Sequence, residues 1–119
     1  MWLAVVGSRD FPDPNPPVLA YISALREKWS PFTGLAVVSG GARGVDHAAK
    51  LAADKLGLDI IELKPDWEMY GKSAGFVRNE SIIKAADQVV AFWDGESRGT
   101  KNSIDWAFKL RKRTEVIFP

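Results

Sequence analysis

The stretch at residues 35–46, Leu-Ala-Val-Val-Ser-Gly-Gly-Ala-Arg-Gly-Val-Asp, constrains the fold more than any other part of this 119-residue chain. Its first four residues are apolar, as in a strand that is buried on both faces of a parallel sheet. Ser39, Gly40 and Gly41 interrupt the apolar run, and apolar residues recur at helical spacing from Val45 onward. The pattern predicts a strand, a glycine turn and a helix N-terminus, which together are suited to bind an anion.

Arginine accompanies this glycine turn and two others. Arg43 lies in the turn at residues 39–46, Arg9 follows an apolar strand at residues 2–6, and Arg98 follows one at residues 88–93. A guanidinium pairs well with phosphate oxygens. Three such turns favour a phosphate-bearing ligand. For Asp46, at the start of the second helix, two roles stay open: it complements the helix dipole or contacts a ribose.

Strand and helix patterns alternate along the whole chain. They predict an α/β fold of three layers, with about five parallel strands in the order 3-2-1-4-5 and helices on both faces, in a single domain at residues 1–119. Strands are predicted at residues 2–6, 35–38, 58–63, 88–93 and 115–118, and a loop at residues 64–71. Pro31 and Gly34 are expected to separate the first helix from the second strand. Ligands bind such sheets where the carboxyl ends of strands 1 and 4 meet.

Composition removes several classes of function. The chain has no cysteine, one histidine and a formal net charge of +1. We therefore expect no metal site, no bulk attraction to nucleic acid and no membrane contact. Neither the dinucleotide fingerprint nor a complete P-loop is present, so no cofactor is expected. The chain has no signal-peptide pattern and no long apolar run, and we expect a soluble cytoplasmic protein.

Five motifs together resemble the SLOG superfamily. They are Gly-Ser-Arg-x-Phe at 7–11, Ser-Gly-Gly-Ala-Arg-Gly-Val-Asp at 39–46, Pro-Asp-Trp-x-x-Tyr-Gly at 65–71, Ala-Gly-x-x-Arg-Asn-x-x-Ile at 74–82 and Asp-Gly-x-Ser-Arg-Gly-Thr at 94–100. The resemblance is strongest to the YspA/YpsA-related branch and covers essentially the whole chain. It implies a Rossmann-like pocket for a nucleotide or a nucleotide-derived ligand, in a sensor or binding module.

The predicted ligand contacts combine the three glycine turns with an aromatic loop residue and the start of the third helix. They are Gly7, Ser8, Arg9, Ser39, Gly40, Gly41, Ala42, Arg43, Gly44, Asp46, Trp67, Arg78, Asn79, Asp94, Gly95, Ser97, Arg98, Gly99 and Thr100.

Hydrolysis of a nucleotide N-glycosidic bond is the alternative that the resemblance raises. LOG-type phosphoribohydrolases pair an arginine, which maps onto Arg78, with a glutamate, which maps onto Asn102. An amide cannot act as a general base, which disfavours this chemistry. A hydrolase would need another carboxylate, and Asp46, Glu80 and Asp94 are the candidates. A DNA-handling role, by analogy with the DprA branch, is the weakest alternative, because no basic stripe is visible.

Five tryptophans in a short chain suggest an interface. On the fourth helix, Ile104, Ala107 and Phe108 share the spacing of a core stripe, and Trp106 falls outside it. Trp29 is a second candidate for incomplete burial. We therefore expect a homodimer, or a higher even oligomer, packed through outer helices. The competing interpretation is that Trp106 lies across neighbouring lysine stems.

Overall fold

A computed structural model describes residues 1–29 and 34–119. The strands are β1 (Trp2–Gly7), β2 (Ala36–Ser39), β3 (Ile60–Glu62), β4 (Gln88–Phe92) and β5 (Arg113–Ile117). The helices are α1 (Asn15–Lys28), α2 (Val45–Leu56), α3 (Trp67–Tyr70), α4 (Ala74–Ala85) and α5 (Arg98–Lys109), with one 3-10 turn at Gly71–Ser73. Pro31, which was expected to end the first helical segment, lies outside the described residues.

The five strands form one parallel sheet in the order β3-β2-β1-β4-β5, which confirms the predicted order and fold class. β1 lies at the centre, with Trp2 opposite Ala36 on one side and Leu3 opposite Gln88 on the other. The crossover from β3 to β4 reverses the direction in which strands are added. The carboxyl ends of β1 and β4 therefore flank the switch point at which such sheets bind ligands.

The apolar core has two halves, one on each face of the sheet. Alternate residues of β1 divide between them: Leu3 and Val5 face α1 and α2, whereas Ala4 and Val6 face α4 and α5. This division follows from the two-residue period of a strand, and it explains why the central strands have apolar residues at successive positions.

The loop predicted at residues 64–71 contains the short helix α3. The carboxylate of Asp66 accepts a hydrogen bond from the backbone N–H of Met69 and so caps the helix. β3 is also shorter than predicted, and Ile61 within it is 46% exposed. β3 is an edge strand, so it buries fewer side chains than its apolar sequence indicates.

The predicted assignment of the aromatic residues on α5 was wrong. Phe108 is 62% exposed, whereas Trp106 packs against the core half that contains Ile104 and Ala107. Lys109 Nζ lies 4.8 Å from the centre of the Trp106 ring, as the competing interpretation expects. α5 begins at Arg98, and its buried residues include Thr100 and Ser103. The buried face of α5 is therefore rotated from the face that its apolar residues alone predict. Trp106 therefore does not support a dimer interface, and the homodimer stays a prediction.

Within residues 1–29 and 34–119, the helices all fall short of the length and apolarity needed to cross a membrane.

Candidate functional site

A pocket of about 530 Å³ opens at the carboxyl ends of β1 and β4. Its wall combines the ends of β1 with the turns before α2 and α5 and one side of α4. The lining residues are Val6, Gly7, Arg9, Asp10, Ala42, Asp46, Lys72, Gly75, Phe76, Arg78, Asn79, Ile82, Asp94, Glu96, Ser97, Gly99, Thr100 and Ser103. A pocket of this size and position fits a ligand as large as a nucleotide.

One side of the pocket is fixed by the approach of β1 to α2. A Cβ atom on Gly7 would lie 2.6 Å from the Cβ and both Cγ atoms of Val45, so only glycine allows the two elements to pack this closely. Ser8 is buried directly after the strand. Its hydroxyl accepts a hydrogen bond from the backbone N–H of Asp94 at 3.1 Å and lies 3.4 Å from Thr100 Oγ1. Ser8 thus ties the end of β1 to the start of α5.

Asp46 and Arg78 form the polar centre of the pocket wall. Asp46 Oδ2 accepts a hydrogen bond from the backbone N–H of Ala42 at 3.1 Å, and Arg78 Nη1 donates to the Gly40 carbonyl oxygen at 3.0 Å. Burial raises the pKa of the Asp46 carboxyl, and the hydrogen bond from Ala42 and the positive charge of Arg78 oppose the increase. Asp46 therefore tightens the glycine turn ahead of α2 while one face of it borders the pocket.

Asn79 connects α4 to the first turn of α5. Its amide nitrogen donates to the Gly99 carbonyl oxygen at 3.2 Å and lies 3.3 Å from Asn102 Oδ1, and its own oxygen accepts from Arg78 Nε at 3.1 Å. Asn102 stands at the position of the LOG-type glutamate. Its side-chain oxygen accepts from the Asn79 amide, and the residue is absent from the pocket lining.

The start of α5 is held by two caps. Ser97 Oγ accepts a hydrogen bond from the backbone N–H of Thr100, and Asp94 Oδ1 accepts from the N–H groups of Glu96 and Ser97. These two bonds hold the pKa of Asp94 below its ordinary value of 3.8. In the part of the chain that the structure describes, the N–H groups of Arg98 and Gly99 donate to no protein atom, and Gly99 borders the pocket.

Ten of the predicted ligand contacts border the pocket. They are Gly7, Arg9, Ala42, Asp46, Arg78, Asn79, Asp94, Ser97, Gly99 and Thr100. Nine others lie behind it or outside it: Ser8, Ser39, Gly40, Gly41, Arg43, Gly44, Trp67, Gly95 and Arg98. Ser39 is fully buried, and its hydroxyl has no hydrogen-bond partner among the described residues.

Two of the outlying residues show why position along the chain is an imperfect guide. Arg43 is exposed and forms a 3.5 Å ion pair with Asp10. Trp67 is 59% exposed on α3. Both follow the carboxyl ends of strands, but the turn before α2 and the helix α3 direct them away from the pocket lining.

Sequence reasoning missed several residues that line the pocket. Lys72, Gly75 and Phe76 come from the 3-10 turn and the first turn of α4, and Asp10 and Glu96 come from the turns after β1 and β4. The Gly71-Lys72-Ser73 sequence was considered only as part of a P-loop. Its actual signal was its place next to the start of a helix.

The three candidate carboxylates for hydrolysis differ in their surroundings. Asp46 and Asp94 border the pocket, whereas Glu80 is absent from its lining and forms an ion pair with Lys84. Among the described residues, histidine, aspartate and glutamate form no group of three that could hold a metal ion.

The sequence matches a family model over residues 1–70, and that family is described as YAcAr, the YspA, cpYpsA-related SLOG family. The chain belongs to this family. The chain is also similar to the Gene 61 protein of Mycobacterium phage D29, to which it is 41% identical over 86 residues, covering 67% of this chain and 68% of that protein.

Two solved structures share the fold of this YAcAr chain. DNA processing protein A from Helicobacter pylori has a TM-score of 0.71 at 24% identity, covering 98% of this chain. DprA from Streptococcus pneumoniae has a TM-score of 0.77 at 21% identity, covering 96%. This chain spans 64% and 49% of the length of those two chains. At these identities the likeness establishes a common fold.

These comparisons correct one expectation. Near-neutral charge was taken to argue against a nucleic-acid partner, and that conclusion was wrong. The H. pylori protein, which has the same fold, is described by its single-stranded DNA binding mode. The fold that this chain shares therefore occurs in a protein described by its binding of single-stranded DNA.

Proposed function

We propose that the YAcAr chain binds a nucleotide or a nucleotide-derived ligand in the pocket at the ends of β1 and β4. The observation that carries the proposal is the mixture of charges in the lining: three cations, Arg9, Lys72 and Arg78, stand with four carboxylates. A simple anion would be repelled by the carboxylates. A nucleotide brings phosphate oxygens for the cations and sugar hydroxyls for the carboxylates, so it can satisfy both.

The phosphate is assigned to the side formed by α5. Gly99 contributes a backbone N–H in the first turn of this twelve-residue helix, and the helix dipole adds positive potential there. Arg9 is exposed, and its guanidinium forms no ion pair among the described residues. It is therefore available to a ligand. Arg78 is committed to the Gly40 carbonyl and shapes the wall instead.

The sugar is assigned to the side formed by Asp46 and Asn79. Asp46 borders the pocket, and in this proposal its carboxylate accepts a hydrogen bond from a ribose hydroxyl.

Single-stranded nucleic acid is the second candidate ligand, favoured by the common fold with DNA processing protein A. In that case the pocket would hold one nucleotide of a longer strand. The two candidates differ in what they require: a mononucleotide fills the pocket alone, whereas a strand needs contacts beyond its rim.

Isothermal titration calorimetry with AMP, ADP-ribose, ribose 5-phosphate and a 20-nucleotide oligothymidylate separates these candidates. Saturable binding of AMP or ADP-ribose supports the proposal. Binding of the oligonucleotide alone, weakening steeply with salt, supports the second candidate. Binding of none would contradict both. Chromatography of the same mixtures for free adenine tests hydrolysis, for which Asp46 is the best-placed carboxylate.

A further inference from the structure

For two glycines of this chain, neither the backbone conformation nor the packing explains why the residue is glycine. Six of the ten glycines adopt a positive φ, and a Cβ on either Gly7 or Gly40 would lie 2.6 Å from another side chain. Gly75 and Gly99 meet neither condition: neither has a positive φ, and among the described residues a Cβ atom on either would meet no atom within 4 Å outside its chain neighbours and the backbone of its own helix. Both stand within helices, where glycine is among the least favourable residues.

Gly75 and Gly99 both border the pocket at the ends of β1 and β4. Gly75 is the second residue of α4, and Gly99 is the second residue of α5. The other glycine that borders the pocket, Gly7, is required by its contact with Val45. At both positions a side chain would extend into open space at the border of the pocket, and no packing contact of either helix requires its absence.

Phe76 lies beside Gly75 in the pocket lining and is 48% exposed. It belongs to the first turn of α4, whose apolar residues Ile82 and Ile83 are buried against the sheet. A large aromatic side chain that is half exposed at the rim of a polar pocket offers a flat apolar surface to a ligand. Bases stack on such surfaces without regard to sequence, because every base has a π-face.

We propose that Gly75, Phe76 and Gly99 form the contact surface for the two ends of the ligand. The base stacks on Phe76 in the space left open by Gly75, and the sugar-phosphate approaches the backbone of α5 at Gly99. This inference rests on the proposed nucleotide function and specifies which part of the nucleotide each side of the pocket recognises.

The first test uses Gly75→Ala and Gly99→Ala, with binding and thermal unfolding measured on each protein. The probe is whichever of AMP, GMP, CMP, UMP and ADP-ribose binds the wild-type chain most tightly. Each added methyl group occupies ligand space, so affinity is expected to fall about 10-fold or more. The helices gain a better helix former, so the Tm is expected to stay unchanged or to rise by up to about 4 °C.

Gly57→Ala is the matched control, since Gly57 also has open space around it but adopts a φ of 68° at the end of α2. Its Tm is expected to fall by about 4 °C or more while nucleotide affinity stays that of the wild type. Wild-type affinity in both pocket variants, or a fall in their Tm like that of Gly57→Ala, would overturn the inference. A wild-type chain that binds no nucleotide would overturn the proposed function itself.

The second test separates the base from the sugar-phosphate. Phe76→Leu retains an apolar side chain but removes the aromatic face, so AMP affinity is expected to fall about 10-fold while ribose 5-phosphate affinity is unchanged. Phe108→Leu, on the exposed side of α5, is the control and is expected to alter neither. An unchanged AMP affinity in Phe76→Leu, or an equal loss for both ligands, would show that Phe76 does not hold a base.

Discussion

Asp46 and Arg78 approach the same face of Gly40. A Cβ atom on Gly40 would lie 2.6 Å from Arg78 Nη1 and 2.9 Å from Asp46 Oδ2. The glycine thus leaves the space in which a cation from α4 and a carboxylate from α2 come together across the sheet end. Because one of these side chains binds the carbonyl of Gly40 and the other binds the N–H of Ala42, their charges also hold the turn between β2 and α2 in place.

The pH dependence of stability is expected to reveal the buried state of Asp46. Its pKa in the folded protein is raised above 3.8, so the folded state retains a proton that the unfolded state has lost. The contribution of Asp46 to the free energy of unfolding is therefore largest below pH 3.8 and declines as the pH rises through the folded-state pKa. Asp46→Asn is expected to flatten this decline, as measured by urea unfolding from pH 3.5 to 7.5.

Asp94 provides a control of opposite sign. Its pKa is lowered by backbone hydrogen bonds, so its contribution is present above pH 3.8 and is lost as the pH falls through the folded-state value. Asp94→Asn is expected to reduce stability near pH 7 relative to pH 3. If the two variants changed the pH profile in the same direction, the assigned surroundings of one carboxylate would be incorrect.

Gly7→Ala is expected to lower the free energy of unfolding by about 1–3 kcal/mol, because the added methyl group overlaps Val45 at the rigid base of its side chain. Chemical denaturation measures the change. Gly75→Ala serves as the comparison, since a methyl group there would meet no described atom within 4 Å outside its chain neighbours and its own helix backbone. Equal stabilities for the two variants would mean that β1 and α2 do not pack as closely as described.

Arg9 and Arg43 form a matched pair for nucleotide binding. Both are exposed arginines in glycine turns, but only Arg9 borders the pocket. Arg9→Ala is expected to weaken AMP binding about 10-fold to 100-fold, because a hydrogen bond to a charged group contributes about 1.5–3 kcal/mol. Arg43→Ala removes an exposed ion pair and is expected to change affinity by less than about 3-fold. Calorimetric titration distinguishes these outcomes, and a larger effect from Arg43 would relocate the phosphate.

Trp106 and Phe108 test which side of α5 packs on the sheet. Trp106→Ala removes a partly buried ring from the core and is expected to lower the free energy of unfolding by about 1–3 kcal/mol. Phe108→Ala removes an exposed ring and is expected to change it by less than about 0.5 kcal/mol. Denaturant midpoints provide the comparison. The reverse order would restore the face of α5 that the apolar spacing predicts.

The strands and their order were predictable because β1, β2 and β4 are apolar at successive positions, which only a central parallel strand requires. The buried face of α5 was not predictable, because it includes Thr100 and Ser103. A count of apolar residues does not include buried hydroxyl side chains. α3 was missed because four residues are too few to display a helical period. The pocket was only half predictable: residues after strands mark its position, whereas Lys72 and Phe76 enter from α4 and its preceding turn, and their approach depends on how that helix packs.

The close packing of Gly7 on Val45 divides the pocket into two kinds of surface. At that end the wall is closely packed, so binding there is expected to require little ordering of the protein. The rim, where Arg9, Lys72 and Phe76 are exposed, behaves differently, because immobilising a long side chain costs about 0.5–1.5 kcal/mol. If the chain binds a nucleotide as proposed, selectivity among ligands is therefore expected to depend on exposed rim side chains, whose replacement disturbs the core least.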